Sequence, residues 1–152
     1  MQKIFLTGLA ILFLQAFDSI AAPIMYLKND TVHYPDEKHF KNVRQLTFGG
    51  DNAEAYFSFD GKWLIFQKTN PAEGILCDQM YIGKIPTRAN EAFEPKLVST
   101  GKGRTTCGTF TKDGKHVIYA STHLGSEVCP PVPDRSKYGN RYIWPLYDSY
   151  DI

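Results

Sequence analysis

Two stretches of the chain carry the same pattern of apolar and polar positions. Tyr56–Lys68 and Thr109–Ser121 each read as an apolar-rich run, an Asp-Gly pair and a second apolar-rich run. Asp-Gly between such runs predicts a β-hairpin, because both residues tolerate the positive φ of a tight turn. The copies lie 53 residues apart, so that Asp60 and Gly61 correspond to Asp113 and Gly114. In that register Phe57 meets Phe110, Lys62 meets Lys115, Ile65 meets Ile118, Phe66 meets Tyr119 and Thr69 meets Thr122. Leu46 meets Leu97 after a two-residue gap. Trp63–Phe66 is apolar without alternation, which predicts a strand covered on both faces and hence a sheet stacked between others.

Further strands are expected at Val43–Phe48, stopped by Gly49 and Gly50, and at Gln79–Ile82, closed by Pro86. A unit of several short strands recurring about every 40–50 residues is the mark of a β-propeller. The expected fold class is therefore all-β, a partial β-propeller of about two blades of antiparallel strands. Blade one covers about 43–95 and an incomplete blade two about 96–152. In the second unit the proline-rich segment Gly125–Tyr147 delays the third strand, which Tyr150–Ile152 begins. The unfinished unit reads as a truncation, the alternative being several copies that associate to cover open edges.

The amino terminus has its own pattern. Lys3 precedes a mostly apolar run from Ile4 to Phe17, and Ser19, Ile20 and Ala21 supply a small-residue cleavage site. This predicts a secretory signal over 1–21, with an extension over 22–42 before the blades. The apolar run is shorter than the roughly 20 residues that span a bilayer, so no stable membrane span is expected after cleavage.

Composition alters this picture little. Aromatics at 14% and hydrophobics at 43% suit a packed β domain. The formal net charge of +1 lacks the basic excess of a nucleic-acid binder, so no nucleic-acid partner is expected.

Arg44–Thr47, Phe57–Phe66 and Asp78–Ile82 together resemble the repeat of TolB-type, WD-repeat-like propellers. That repeat runs R-L-T, then F-S-P-D-G-K with an apolar strand, then D-I-Y-V. Phe59 and Lys112 depart from it, standing where proline is usual. Leu97–Cys107, Tyr119–His123 and Cys129–Pro131 look like an exported subgroup of such propellers. The resemblance implies a periplasmic or secreted, non-catalytic platform that binds a protein or another ligand of the cell envelope. The alternative is a propeller fragment of an exported hydrolase or peptidase whose catalytic domain is absent from this chain.

Three cysteines, Cys77, Cys107 and Cys129, make an odd count, which predicts one disulfide and one free thiol in an oxidising compartment. Cys107–Cys129 is the slightly favoured pair because both belong to one repeat, with Cys77 as the alternative partner. Adding His123 gives a Cys3His set of irregular spacing, without the Cys-x-x-Cys pair typical of zinc sites. A nucleophilic Cys107 paired with His123 or His116 lacks any companion motif. The flank His33–His39 matches no zinc spacing either. No catalytic, cofactor or metal residue is assigned. The expected contact element is the Gly125–Tyr147 loop, through Tyr138, Tyr142, Trp144 and Tyr147, residue types enriched at interfaces.

Overall fold

The computed structural model describes residues 36–40, 43–139 and 141–152. The signal segment, its cleavage after Ala21 and most of the 22–42 extension lie outside these residues. The described chain is built of antiparallel β-sheets with two short 3-10 turns. Strands β1 (Asp51–Phe57), β2 (Trp63–Asn70), β3 (Ile75–Lys84) and β4 (Lys96–Leu97) form a first sheet in that order. Strands β5 (Thr105–Phe110) and β6 (Val117–Ser121) form a second.

Local chemistry sets the strand ends. Ser58 stops β1 by turning its side chain into the hairpin loop. There its Oγ donates to Asp60 Oδ1 at 2.7 Å and accepts from Trp63 N at 2.9 Å. Pro71 ends β2 in a 3-10 turn, and Gly74 at φ 79° releases the chain into β3. The expected third strand, Gln79–Ile82, is thus the centre of a ten-residue strand. Val43–Phe48, expected as a strand, joins no ladder among the described residues. Arg44 instead reaches across to accept no strand partner but to donate to the carbonyl oxygens of Arg88 (2.9 Å) and Glu91. Lys96 and Leu97, aligned with the head of the second repeat, pair with Ile82 and Tyr81 as the outer strand of the first sheet.

The repeat seen in the sequence extends to the backbone ladder. Asn52↔Lys68, Ala53↔Gln67, Tyr56↔Ile65 and Phe57↔Leu64 in the first hairpin are matched by Thr105↔Ser121, Thr106↔Ala120, Thr109↔Ile118 and Phe110↔Val117 in the second. Every member is displaced by the same 53 residues. Each hairpin carries a bulge at the same place, between Ala53 and Tyr56 and between Thr106 and Thr109. The only described non-glycine residues with positive φ sit there, Glu54 at 48° and Cys107 at 54°. A second correspondence lies at Gly50 and Gly103, with φ of 64° and 60°. A Cβ on Gly50 would lie 2.2 Å from Thr69 O, and one on Gly103 2.7 Å from His123 N. Only glycine fits either place. The third strand of the second unit is represented by a bridge between Ser121 and Asp151, with mutual N–H···O bonds of 2.8 and 3.0 Å.

The two sheets stack face to face. Ile65 and Met80 of the first are fully buried against Phe110 of the second, with Ile82, Val98, Val117 and Tyr119 packed around them. Gly108 makes the approach possible, since a Cβ there would lie 2.3 Å from Met80 Cε. On the opposite face Phe66 packs against Phe93, ring centroids 5.9 Å apart. Ile65 and Phe66 are therefore covered from both sides as expected, while Trp63 remains 39% exposed.

A polar seam reinforces the stack. Asp78 pairs with Arg104, accepts from Thr69 Oγ1 at 2.6 Å and offers its backbone oxygen to Thr105 Oγ1 at 3.1 Å. Gln79 Nε2 donates to Gly103 O at 2.7 Å, and Ser99 Oγ donates to Gln79 Oε1 at 2.8 Å.

Candidate ligand groove and aromatic loop

The two Asp-Gly turns, 53 residues apart in sequence, meet at one end of the sheet stack. There they border a groove of about 610 Å3 lined by Ser58, Phe59, Asp60 and Trp63 from the first repeat and by Phe110, Lys112, Asp113 and Gly114 from the second. Three of the four turn residues singled out in the sequence, Asp60, Asp113 and Gly114, thus face one space. Gly61 shapes its turn at φ 69°.

The carboxylates are held alike. Asp60 Oδ1 accepts from Ser58 Oγ at 2.7 Å and from Lys62 N at 3.1 Å. Thr111 Oγ1 and Lys115 N bond Asp113 Oδ1 at 2.5 and 3.0 Å. These side-chain hydroxyl bonds, seconded by the backbone N–H, hold both carboxyls below the ordinary aspartate range. Both sites are open to solvent, with Lys62 Nζ 3.4 Å from Asp60 and His116 Nδ1 3.7 Å from Asp113. A general acid needs the reverse, a carboxyl kept protonated by its surroundings. Two ionised carboxylates beside Phe59 (69% exposed) and Trp63 suit the recognition of a positively charged group on an apolar body.

The cysteines differ from the favoured pairing. Cys77 bonds Cys129, with Cα atoms 6.0 Å apart, and Cys107 is the free, exposed thiol. The stack brings the buried start of β3 against the loop that follows β6, so the near neighbour of Cys129 belongs to the other repeat. Cys107 stands in the β5 bulge, its positive φ turning it out to solvent. The disulfide removes two members of the Cys3His set, and no group of three or more metal-ligating side chains converges among the described residues. His123 Nδ1 bonds Ser121 Oγ at 2.8 Å, while Cys107 Sγ neighbours Thr106 Oγ1. The pairing itself fits an oxidising compartment.

In the proline-rich loop, Tyr138, Tyr142 and Trp144 are 52%, 74% and 54% exposed. Tyr142 and Trp144 meet edge to face at 6.2 Å, and the Arg135 guanidinium lies over the Tyr142 ring. Tyr147 has a structural role, donating to Pro131 O at 3.1 Å and packing on Tyr150. Burial raises the Tyr150 hydroxyl above its ordinary range.

The sequence left two features unread. The bulge residues Glu54 and Cys107 have no turn signature, although their shared 53-residue offset was available. The groove needs both repeats in space. No family model, curated protein or solved structure matches the chain. No helix among the described residues is long and apolar enough to cross a membrane.

Proposed function

We propose that the chain is an exported, TolB-like β-propeller module of the periplasm or the extracellular space, acting as a non-catalytic platform for a protein or envelope partner. The observation that carries this reading is the groove in which both repeats present an ionised carboxylate beside exposed aromatic rings. Ionised, neither carboxyl serves as a general acid, and both suit the binding of a cationic group. The identical ladder registers support the propeller relationship, and the Cys77–Cys129 disulfide supports export. A partner would place a lysine or arginine side chain in the groove, and the exposed Tyr142–Trp144 pair, on the loop that follows β6, would supply a separate apolar contact.

The test places a photo-crosslinking residue at Phe59 and captures partners from an envelope fraction. A single dominant protein adduct is expected. The Tyr142→Ser/Trp144→Ser and Asp60→Asn/Asp113→Asn variants should each reduce it about tenfold or more, the loss of roughly 1.4 kcal/mol. Capture that both double variants leave unchanged would sink the proposal. Export is checked separately by the mass of the mature chain, expected to begin at Ala22.

A further inference from the structure

We infer that the bonds Asp60–Gly61 and Asp113–Gly114 are latent sites of isoaspartate formation, held closed by the hydroxyl two residues before each aspartate. They are the only Asp-Gly bonds in the sequence, which contains no Asn-Gly bond. Water is the only co-reactant. The backbone nitrogen of glycine gives up its proton and attacks Cγ of the protonated aspartate side chain. The Cγ–OH bond breaks, water leaves, and a five-membered imide joins the two residues. Water then adds to either imide carbonyl and breaks its bond to nitrogen. Opening at the aspartate's own backbone carbonyl leaves the chain running through the side chain. The product is an isoaspartate of unchanged mass, with one more methylene in the backbone. Glycine favours the ring closure because no Cβ shields its nitrogen.

Exposure alone would leave both bonds reactive. The aspartate side chains are 52% and 53% exposed. A Cβ on Gly61 or Gly114 would meet nothing within 4 Å, so both turn tips are open to solvent.

The hydrogen bonds oppose each requirement of the reaction. The proton that the nucleophile must lose is engaged, since Gly61 N donates to Ser58 O and Gly114 N to Thr111 O, both at 2.9 Å. The electrophile is pinned. Asp60 Oδ1 accepts from Ser58 Oγ at 2.7 Å and Lys62 N at 3.1 Å. Asp113 Oδ1 accepts from Thr111 Oγ1 at 2.5 Å and Lys115 N at 3.0 Å. Ring closure must turn the carboxyl away from these donors. The same bonds favour the ionised carboxylate, from which no water can leave. The backbone donor belongs to the turn itself, whereas the hydroxyl comes from a single side chain. One repeat supplies it from serine and the other from threonine, so the hydroxyl is the guard and the residue type is not.

The experiment ages the full chain at neutral pH, folded and in urea. Proteolysis followed by electron-transfer fragmentation then separates isoaspartate from aspartate at each site. In the folded parent both sites should convert about tenfold or more slowly than in urea, the weight of one hydrogen bond to a charged group. Ser58→Ala should speed Asp60 by roughly the same factor and leave Asp113 at the parent rate. Thr111→Val, which keeps the shape of threonine, should speed Asp113 alone. Ser58→Thr should keep Asp60 slow. Each folded variant is checked for the parent's β-sheet circular dichroism, and one that unfolds betrays itself by speeding both sites together. If Ser58→Ala unfolds in this way, Thr111→Val and Ser58→Thr decide the matter. Equal rates in the folded parent and in urea overturn the inference. So does a folded variant without the hydroxyl whose own aspartate stays slow, or a folded Ser58→Thr that is fast at Asp60.

Discussion

Ser58 and Thr111 show how one hydroxyl can organise a hairpin. Each stands two residues before an Asp-Gly pair, donates to that aspartate and accepts backbone N–H from the returning chain. The aspartate then accepts a further bond from the residue after glycine, so the turn is closed by the ionised carboxylate. Because the folded-state pKa of Asp60 and of Asp113 lies below the ordinary aspartate value near 3.9, the contribution to stability is complete above that value. It is lost as the pH falls through the folded pKa. Ser58→Ala should raise the Asp60 midpoint toward that ordinary value, and Thr111→Ala should do the same for Asp113 alone. Carboxyl-carbon NMR titration reads both sites in one experiment. An Asp60 midpoint unmoved by Ser58→Ala would show that backbone donors alone hold the carboxylate.

At the scale of elements, the hairpins were legible in the sequence and their neighbours less so. Asp60-Gly61 and Asp113-Gly114 encode their turns locally, so β1–β2 and β5–β6 could be placed from the chain alone. Val43–Phe48 has a strand's composition but finds no ladder, whereas the short Lys96–Leu97 finds one at the edge of β3. Ladder partners are chosen across space, and the local pattern of Arg44–Phe48 carries no information about them. The cysteines teach the same lesson. Cys107 and Cys129 are nearer in sequence, yet stacking of the sheets carries Cys77 to Cys129. That bond closes a loop across 52 residues. In the chain-entropy picture it should be worth about 4 kcal/mol, a large share of the roughly 5–15 kcal/mol of a typical domain. Cys77→Ala/Cys129→Ala should lower the urea-unfolding free energy by up to that amount. Cys107→Ala, at an exposed site, should move it by less than about 0.5 kcal/mol. Equal losses from the two changes would place the stabilising bond at Cys107 after all.

For the whole molecule, the decisive contact is the closeness of two sheets that the sequence showed only as two similar hairpins. Periodicity in Trp63–Phe66 required a covering layer on each face but could not say what forms it. One layer is the second repeat, admitted by a glycine where the first repeat has alanine. At Gly108 an added Cβ would meet Met80 Cε at 2.3 Å and Ile65 Cδ1 at 3.0 Å. The flexible methionine end can yield to a single methyl group, but a branched side chain must also displace Ile65. Overpacking of this kind costs about 1–3 kcal/mol. Gly108→Ala should therefore fall near the lower end and Gly108→Val near the upper end. The equivalent Ala55→Val faces an unfilled cavity and should change stability by no more than about 0.5 kcal/mol in dilute, monomeric protein. Urea midpoints for the three variants separate the alternatives. Equal costs at 55 and 108 would mean that the sheets do not approach as closely as Met80 and Gly108 require. A selective cost at 108 would establish that the repeats support each other through one tight contact.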